Sequence, residues 1–279
     1  LNENTMWTMV DLEMPTCDCE IIADELWAIG VMAVEEIHSS TATTILRTNL
    51  GHNPNDQLTD LLARFPQMTS KIVHIAKEVS ETWRQHAVPT WITSEIVIVP
   101  EWQEAPIAKH VIRIDPIDTF GLGNHPSTML ALRLAAKNIP HKSVVYDFGC
   151  GSGVLGISLN VIHGCTAIVY DIAETARNTV LHNALINNAQ NIVWGSPIEL
   201  VVQGSCDAAV TNILAPVLRH YASSLEKIVK INGFIILSGM RSDQADSVAA
   251  CFHESKEIER EEFDGWCAVT LLRQGVATK

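Results

Sequence analysis

The stretch Asp147-Phe148-Gly149-Cys150-Gly151-Ser152-Gly153 follows a strand-like run, Ser143 to Phe148, and opens into Val154 to Ile162, whose apolar spacing is helical. A strand, a tight glycine turn and a helix in that order place a ligand over the carboxyl end of the strand, where the backbone must turn sharply and admit close approach. Two cofactor chemistries use such a turn. Gly151-Ser152-Gly153-Val154-Leu155-Gly156 matches G-x-G-x-x-G, the dinucleotide pattern. Asp147 to Gly153 matches acidic-x-G-x-G-x-G instead, and Asp147 favours this second reading. A carboxylate at the strand end attracts the sulfonium and ammonium of S-adenosylmethionine and repels a pyrophosphate. Asp171 closes the next strand, Ala167 to Tyr170, and suits the hydroxyls of a ribose, which both cofactors contain. Its alternative duty is to cap the helix that begins near Ala173.

Outward from the turn, strands and helices alternate. Thr128 to Lys137 is helical ahead of it. Ala173 to Asn187 (helix), Asn191 to Trp194 and Asp207 to Thr211 (strands), Pro216 to Lys230 (helix), Gly233 to Leu237 (strand) and Asp243 to Phe252 (helix) follow. That rhythm predicts a doubly wound, mostly parallel sheet. Lys256 to Glu262 and Trp266 to Arg273 both alternate in the strand period around Asp264-Gly265, which predicts a closing antiparallel hairpin.

The first eighty residues read differently. Strand-like Trp7 to Glu13, helical Cys19 to Ile29 stopped by Gly30, strand-like Val31 to Ile37 and Thr43 to Thr48, helical Asp56 to Phe65 ended by Pro66, and alternating Lys71 to Lys77 give the order β-α-β-β-α-β. This is the ferredoxin-like order of a small α+β domain. The expected organisation is therefore a small N-terminal domain over 1–78, a connecting segment over 79–114 and a cofactor-binding domain over 115–279. The connecting segment carries Trp83, Trp91 and Trp102 among Pro89, Pro100 and Pro106, read as a packed segment whose tryptophans seal it against one domain.

Composition narrows the function classes. With 47% hydrophobic and 18% charged residues the chain can bury sizeable cores. A net charge of −13 disfavours broad nucleic-acid binding and suits a basic protein partner or a cationic ligand. Seven cysteines, without a C-x-x-C pair or zinc spacing, read as free thiols in a reducing compartment, so a cytoplasmic protein without a metal is expected. No apolar run is long enough to span a bilayer, and a monomer is the expectation.

Three further segments carry a resemblance. Asp115-Pro116-Ile117-Asp118-Thr119-Phe120-Gly121-Leu122-Gly123-Asn124-His125-Pro126-Ser127-Thr128 precedes the first strand of the large domain, Asn212-Ile213-Leu214-Ala215-Pro216 ends its fourth, and Leu237-Ser238-Gly239 ends the next. With the glycine turn, these resemble the ribosomal protein L11 methyltransferases, the PrmA-like family, most strongly from about Ile114 to Gly239. The resemblance implies a class I methyltransferase fold, in which a closing hairpin is usual, and S-adenosylmethionine as cofactor. It implies that Thr128, Gly149, Asp171 and Asn212 bind that cofactor, and that the substrate amines are lysine side chains and the N-terminus of ribosomal protein L11. It also implies that the N-terminal domain grips the substrate. One position departs from the pattern: Leu122 stands where the family usually has Thr, removing a hydroxyl beside the expected site.

Methyl transfer to an amine is an in-line displacement that needs chiefly positioning and a neutral amine. Asn212, or the carbonyls of Ile213 and Leu214, is expected to aim the amine; otherwise Asn212 caps the turn before Pro216. His125 is either a base for the amine or a structural loop histidine. Phe120 either walls the methionine end of the cofactor or is core. Gly151 and Gly153 complete the expected cofactor-binding set with Asp147. The alternatives are a methyltransferase for another protein lysine or small amine, a nicotinamide-dependent oxidoreductase resting on the G-x-G-x-x-G overlap, and a module that keeps the fold without activity.

Overall fold

The computed structural model describes residues 6–28, 31, 34–49, 54–76, 87–117 and 122–274. The chain divides into two compact units, 1–87 and 88–279.

In the first unit, β1 (Met6–Pro15), β2 (Val34–Ser39), β3 (Thr43–Thr48) and β4 (Thr69–Ala76) form one sheet in the order β2-β3-β1-β4, with every neighbouring pair antiparallel. The helices α1 (Cys19–Ala28) and α2 (Pro54–Arg64) supply the rest of the expected β-α-β-β-α-β order. The period-two pattern of β1 sends Val10, Leu12 and Met14 into the core, where they meet Ile22 and Leu26 of α1 and Leu58 and Leu61 of α2. On the strand's other face Asp11 is registered opposite Arg47, and the two make a bidentate pair at 2.6 and 2.8 Å. Ile29 and Gly30, expected to end α1, lie outside the described residues.

In the second unit the strands are β5 (Thr90–Trp91), β6 (Ile96–Pro100), β7 (His110–Ile114), β8 (Val144–Phe148), β9 (Thr166–Tyr170), β10 (Ile192–Trp194), β11 (Cys206–Asn212), β12 (Val229–Arg241), β13 (Ser255–Phe263) and β14 (Trp266–Arg273). Seven of them form a sheet in the order β10-β9-β8-β11-β12-β14-β13. β8 to β12 are mutually parallel, while β14 runs antiparallel to β12 and β13 antiparallel to β14. The helices are α3 (Pro126–Asn138), α4 (Val154–His163), α5 (Glu174–Ile186), α6 (Ala215–Ile228) and the short α7 (Ala245–Ala249). Alternation divides each central strand between two cores. Val145, Ala208, Val210, Ile236 and Ala268 pack on the side of α3 and α4. Tyr146, Ala209, Ile235, Leu237 and Val269 pack on the side of α6 and α7. Both faces are covered, which is why these strands read as nearly continuous apolar runs.

The expected connecting segment 79–114 is not a linker over its described part. Residues 88–114 belong to the second unit and form a three-stranded sheet, β5-β6-β7. Ile96, Ile98, Ile112 and Ile114 enter the same core as Leu130 and Leu134 of α3, and burial of these four isoleucines is what fixes the segment. Of the tryptophans, Trp91 is 43% exposed and Trp102 half-buried, while Trp83 lies outside the described residues. Two smaller differences concern ends. β12 begins at Val229 rather than Gly233, and the expected helix Asp243 to Phe252 is a single turn of tighter helix followed by five α-helical residues.

Candidate active site

The carboxyl ends of β8, β9, β11 and β12 carry Gly149, Asp171, Asn212 and Gly239 respectively. β8 lies between β9 and β11, so the sheet's order reverses there and leaves a crevice above the glycine turn.

The turn is held from within. Gly149, Gly151 and Gly153 have φ of +73°, +52° and +78°, a left-handed conformation natural to glycine. Gly149 and Cys150 donate their N–H groups to the Tyr170 carbonyl at 2.9 and 3.1 Å, and Gly153 donates to the Cys150 carbonyl at 2.8 Å. Gly151 donates to Asp171 Oδ2 at 2.9 Å. A turn built to cradle a pyrophosphate must aim its N–H groups at the ligand, yet these four are directed into the protein. Asp171 Oδ1 also accepts from Ala173 N–H at 2.8 Å. The carboxylate therefore braces both the turn and the entry to α5, and each oxygen retains a lone pair for a hydroxyl.

Asp147 is 1% exposed and accepts the Gly156 N–H at 2.8 Å through Oδ2, securing the first turn of α4. Its Oδ1 has no hydrogen-bond partner among the described residues. Burial pushes this carboxyl up to about 7; the Asp171 charge adds to the rise and the Gly156 N–H opposes it. The folded chain thus keeps a proton that the unfolded chain releases near pH 4. The contribution of Asp147 to stability falls as pH rises from about 4 to about 7, then levels. Asp147→Asn is expected to flatten that part of the profile, measured as unfolding free energy by urea titration from pH 5 to pH 8. An unchanged slope would show that Asp147 is ionised throughout. Burial also pushes the Cys150 thiol up, so the cysteine within the turn is no nucleophile at neutral pH.

On the opposite side of the crevice, Asn212 Nδ2 donates to Thr128 Oγ1 at 3.0 Å. Thr128 is fully buried in the first turn of α3. Ser238, registered beside Asn212, donates to the Ser127 carbonyl at 2.8 Å and fixes the same turn. His125 caps α3. Its Nδ1 accepts the Ser127 N–H at 3.3 Å and lies 2.7 Å from Ser127 Oγ, and its ring stands edge-on to Trp266 at 4.7 Å. Burial lowers its pKa, against a smaller opposing effect of Asp264. The neutral ring in this arrangement carries its proton on Nε2 and uses its Nδ1 lone pair on the helix. That geometry favours the structural role of His125 over the role of base. Leu122 is half-buried, and Phe120 lies outside the described residues with Asp118, Thr119 and Gly121.

Sequence reasoning missed Asn183 and Asn187. Asn183 lies on α5 and Asn187, four residues on, is its C-cap; both face β7 and the residue after it. Asn187 accepts the Arg113 N–H at 2.8 Å and donates to the Arg113 carbonyl at 2.6 Å. Asn183 accepts the Asp115 N–H and donates to the Asp115 carbonyl, both at 2.9 Å, and donates to the Ser152 carbonyl at 2.9 Å. Asn183 thus ties the segment that leads to Thr128 to the glycine turn. The N-x-x-x-N spacing was the available signal. Asn183→Ala is expected to cost about 3 kcal/mol, one for each lost bond, read from the urea midpoint. A loss under about 1 kcal/mol would show that water replaces the amide.

The family model described as ribosomal protein L11 methyltransferase (PrmA) matches residues 15–274. The chain belongs to this family. The ribosomal protein L11 methyltransferase of Caldicellulosiruptor saccharolyticus is 32% identical over 201 residues, a match covering 71% of this chain and 66% of that protein. That of Lactococcus lactis subsp. lactis is 32% identical over 176 residues, covering 61% and 56%. In both cases the chain spans less than two thirds of the curated relative. The crystal structure of the ribosomal protein L11 methylase from Lactobacillus delbrueckii subsp. bulgaricus aligns with a TM-score of 0.62 at 25% identity, over 67% of this chain and all of that one. The fold of this PrmA-family chain is accordingly the class I methyltransferase fold, and its sheet order with the closing β13–β14 hairpin agrees.

Proposed function

We propose that this chain is an S-adenosylmethionine-dependent protein methyltransferase that modifies lysine side-chain and N-terminal amines of ribosomal protein L11. Family membership supports the reaction class. The observation that carries the cofactor is the glycine turn: its N–H groups are directed inward and the Asp171 carboxylate stands beside it. Such a site fits a cationic ribose-bearing cofactor and opposes a pyrophosphate. It speaks against the oxidoreductase alternative, whose only support was the G-x-G-x-x-G overlap.

When bound, S-adenosylmethionine supplies a methyl group already activated by the sulfonium. Asp171 holds the ribose hydroxyls with its remaining lone pairs. Ile172, 92% exposed next to it, offers apolar surface to the adenine. Gly149, Gly151 and Gly153 let the backbone approach the cofactor, with Thr128 and Asn212 on the far side. Asn212 keeps its amide in place through Thr128 and presents its oxygen to the incoming amine, orienting the lone pair without serving as a strong base. Asn212→Ala is expected to lower kcat/KM roughly tenfold, the scale of losing one hydrogen bond, read in a methyl-transfer assay. Retention of full turnover would sink the orienting role.

The acidic chain, with net charge −13, is matched to a basic ribosomal protein in the cytoplasm, and the N-terminal unit is assigned to grip it. The test is intact-protein mass spectrometry of unmodified L11 incubated with the chain and cofactor. Steps of one or more methyl masses that require cofactor are expected. No step, with cofactor binding intact by calorimetry, would discard this substrate; no step and no binding would discard the enzyme reading.

A further inference from the structure

We infer that Glu101, Asp115 and His182 form a binding site for a divalent first-row transition cation, apart from the glycine turn. The three residues are remote in sequence and come together through the fold. Glu101 follows the end of β6 and Asp115 the end of β7; these strands run parallel with Pro100 opposite Ile114, so both carboxylates emerge at the same end. His182 projects from α5 onto the same point. One ligand atom from each residue lies within 4.8 Å of the other two. Zinc-type bonds of about 2.0–2.2 Å place ligand atoms up to roughly 4 Å apart, so small side-chain rotations close the set around an ion.

The framework under the three groups is rigid. Asn183, next to His182, holds both the N–H and the carbonyl of Asp115. Arg113 grips the Glu101 and Gln103 carbonyls at 3.2 and 3.0 Å. Asp115 Oδ1 accepts the Ile117 N–H at 2.9 Å. The His182 and Glu101 side chains are 36% and 35% exposed, which leaves a route from solvent.

Charge and donor type select the ligand. His182 Nε2 lies 2.8 Å from Glu101 Oε2, an arrangement that a protonated imidazole satisfies. Asp115 brings a second carboxylate oxygen within 4.8 Å of both. A divalent cation balances both carboxylates and uses the neutral imidazole as a third donor. Calcium and magnesium prefer all-oxygen sites, and soft ions prefer sulfur. Two carboxylates with one imidazole suit the series from Mn²⁺ to Zn²⁺, with water completing the coordination.

The test is titration of the full chain with Co²⁺, followed by visible absorption, then displacement by Zn²⁺. A saturable band at one ion per chain is expected. His182→Ala and, on a different element, Glu101→Gln are each expected to weaken it by more than about tenfold, since even outer-shell losses reach that size. His141→Ala, which disrupts the edge-on His141–His163 pair elsewhere, should leave the band unchanged. Absence of a saturable band in the wild type, or a band of equal affinity in folded His182→Ala or Glu101→Gln, would overturn the assignment.

Discussion

Gly239→Ala is expected to damage the fold and the site together. Gly239 has φ of +86°, and an added Cβ would lie 2.5, 2.6 and 2.8 Å from the O, N and C atoms of Ile213. These are backbone atoms, so no rotamer change relieves the contact. The left-handed conformation costs an alanine about 1–2 kcal/mol, and the overpacking about 1–3 more. For a chain of this size that lowers the melting temperature by on the order of 5–15 °C. The consequence reaches the crevice because Ile213 follows Asn212 and bonds Ser238 at 3.1 Å, while its side chain covers Gly149, where a Cβ would meet Ile213 Cγ2 at 2.4 Å. Displacing Ile213 shifts Asn212 away from Thr128, so S-adenosylmethionine affinity should fall with the melting temperature. Gly164→Ala is the control: its φ is +66°, but nothing lies within 4 Å, and only the conformational cost remains. Equal effects of the two substitutions would show that Ile213 is free to move.

Asp171→Ala should weaken the cofactor most. It removes the acceptor of Gly151 N–H and of Ala173 N–H, each a charge-assisted bond of about 1.5–3 kcal/mol, and with them the proposed ribose contacts. Calorimetry is expected to show a dissociation constant raised by about a hundredfold or more. Asp171→Asn should fall between, because one amide oxygen serves only part of what two carboxylate oxygens do. A variant that melts earlier yet binds the cofactor normally would reduce Asp171 to a brace for α5.

Much of this architecture was legible because local patterns and the global fold agree. The alternation of β1 sends the same residues inward that the sequence marks as apolar, and Pro66 closes α2 two residues after Arg64. That the glycine turn and Asp171 stand at strand ends was readable because strands and helices alternate around them, and such ends meet at the switch point of a parallel sheet; Asn212 was singled out through the resemblance. The region 88–114 was not, because strands of two to five residues separated by prolines carry too little periodicity to distinguish them from a packed linker. Asparagines 183 and 187 were missed for a different reason. A side chain that substitutes for a neighbouring strand leaves no trace in hydropathy, and only the tertiary fold shows what it faces. Likewise Glu101, Asp115 and His182 lack any metal-ligand spacing in sequence, since three separate elements bring them together.

The asparagine pairs also settle how an exposed sheet border is kept harmless. Among the described residues β7 is a border strand of its small sheet, with β6 on one side only. Unpaired N–H and carbonyl groups along such a border invite a strand from another molecule, the first step of edge-to-edge aggregation. At Arg113 and Asp115 those groups are already occupied by Asn187 and Asn183, so a helix closes the border with its side chains. Two neutral amides, rather than a gatekeeping charge, thus guard that end of the edge.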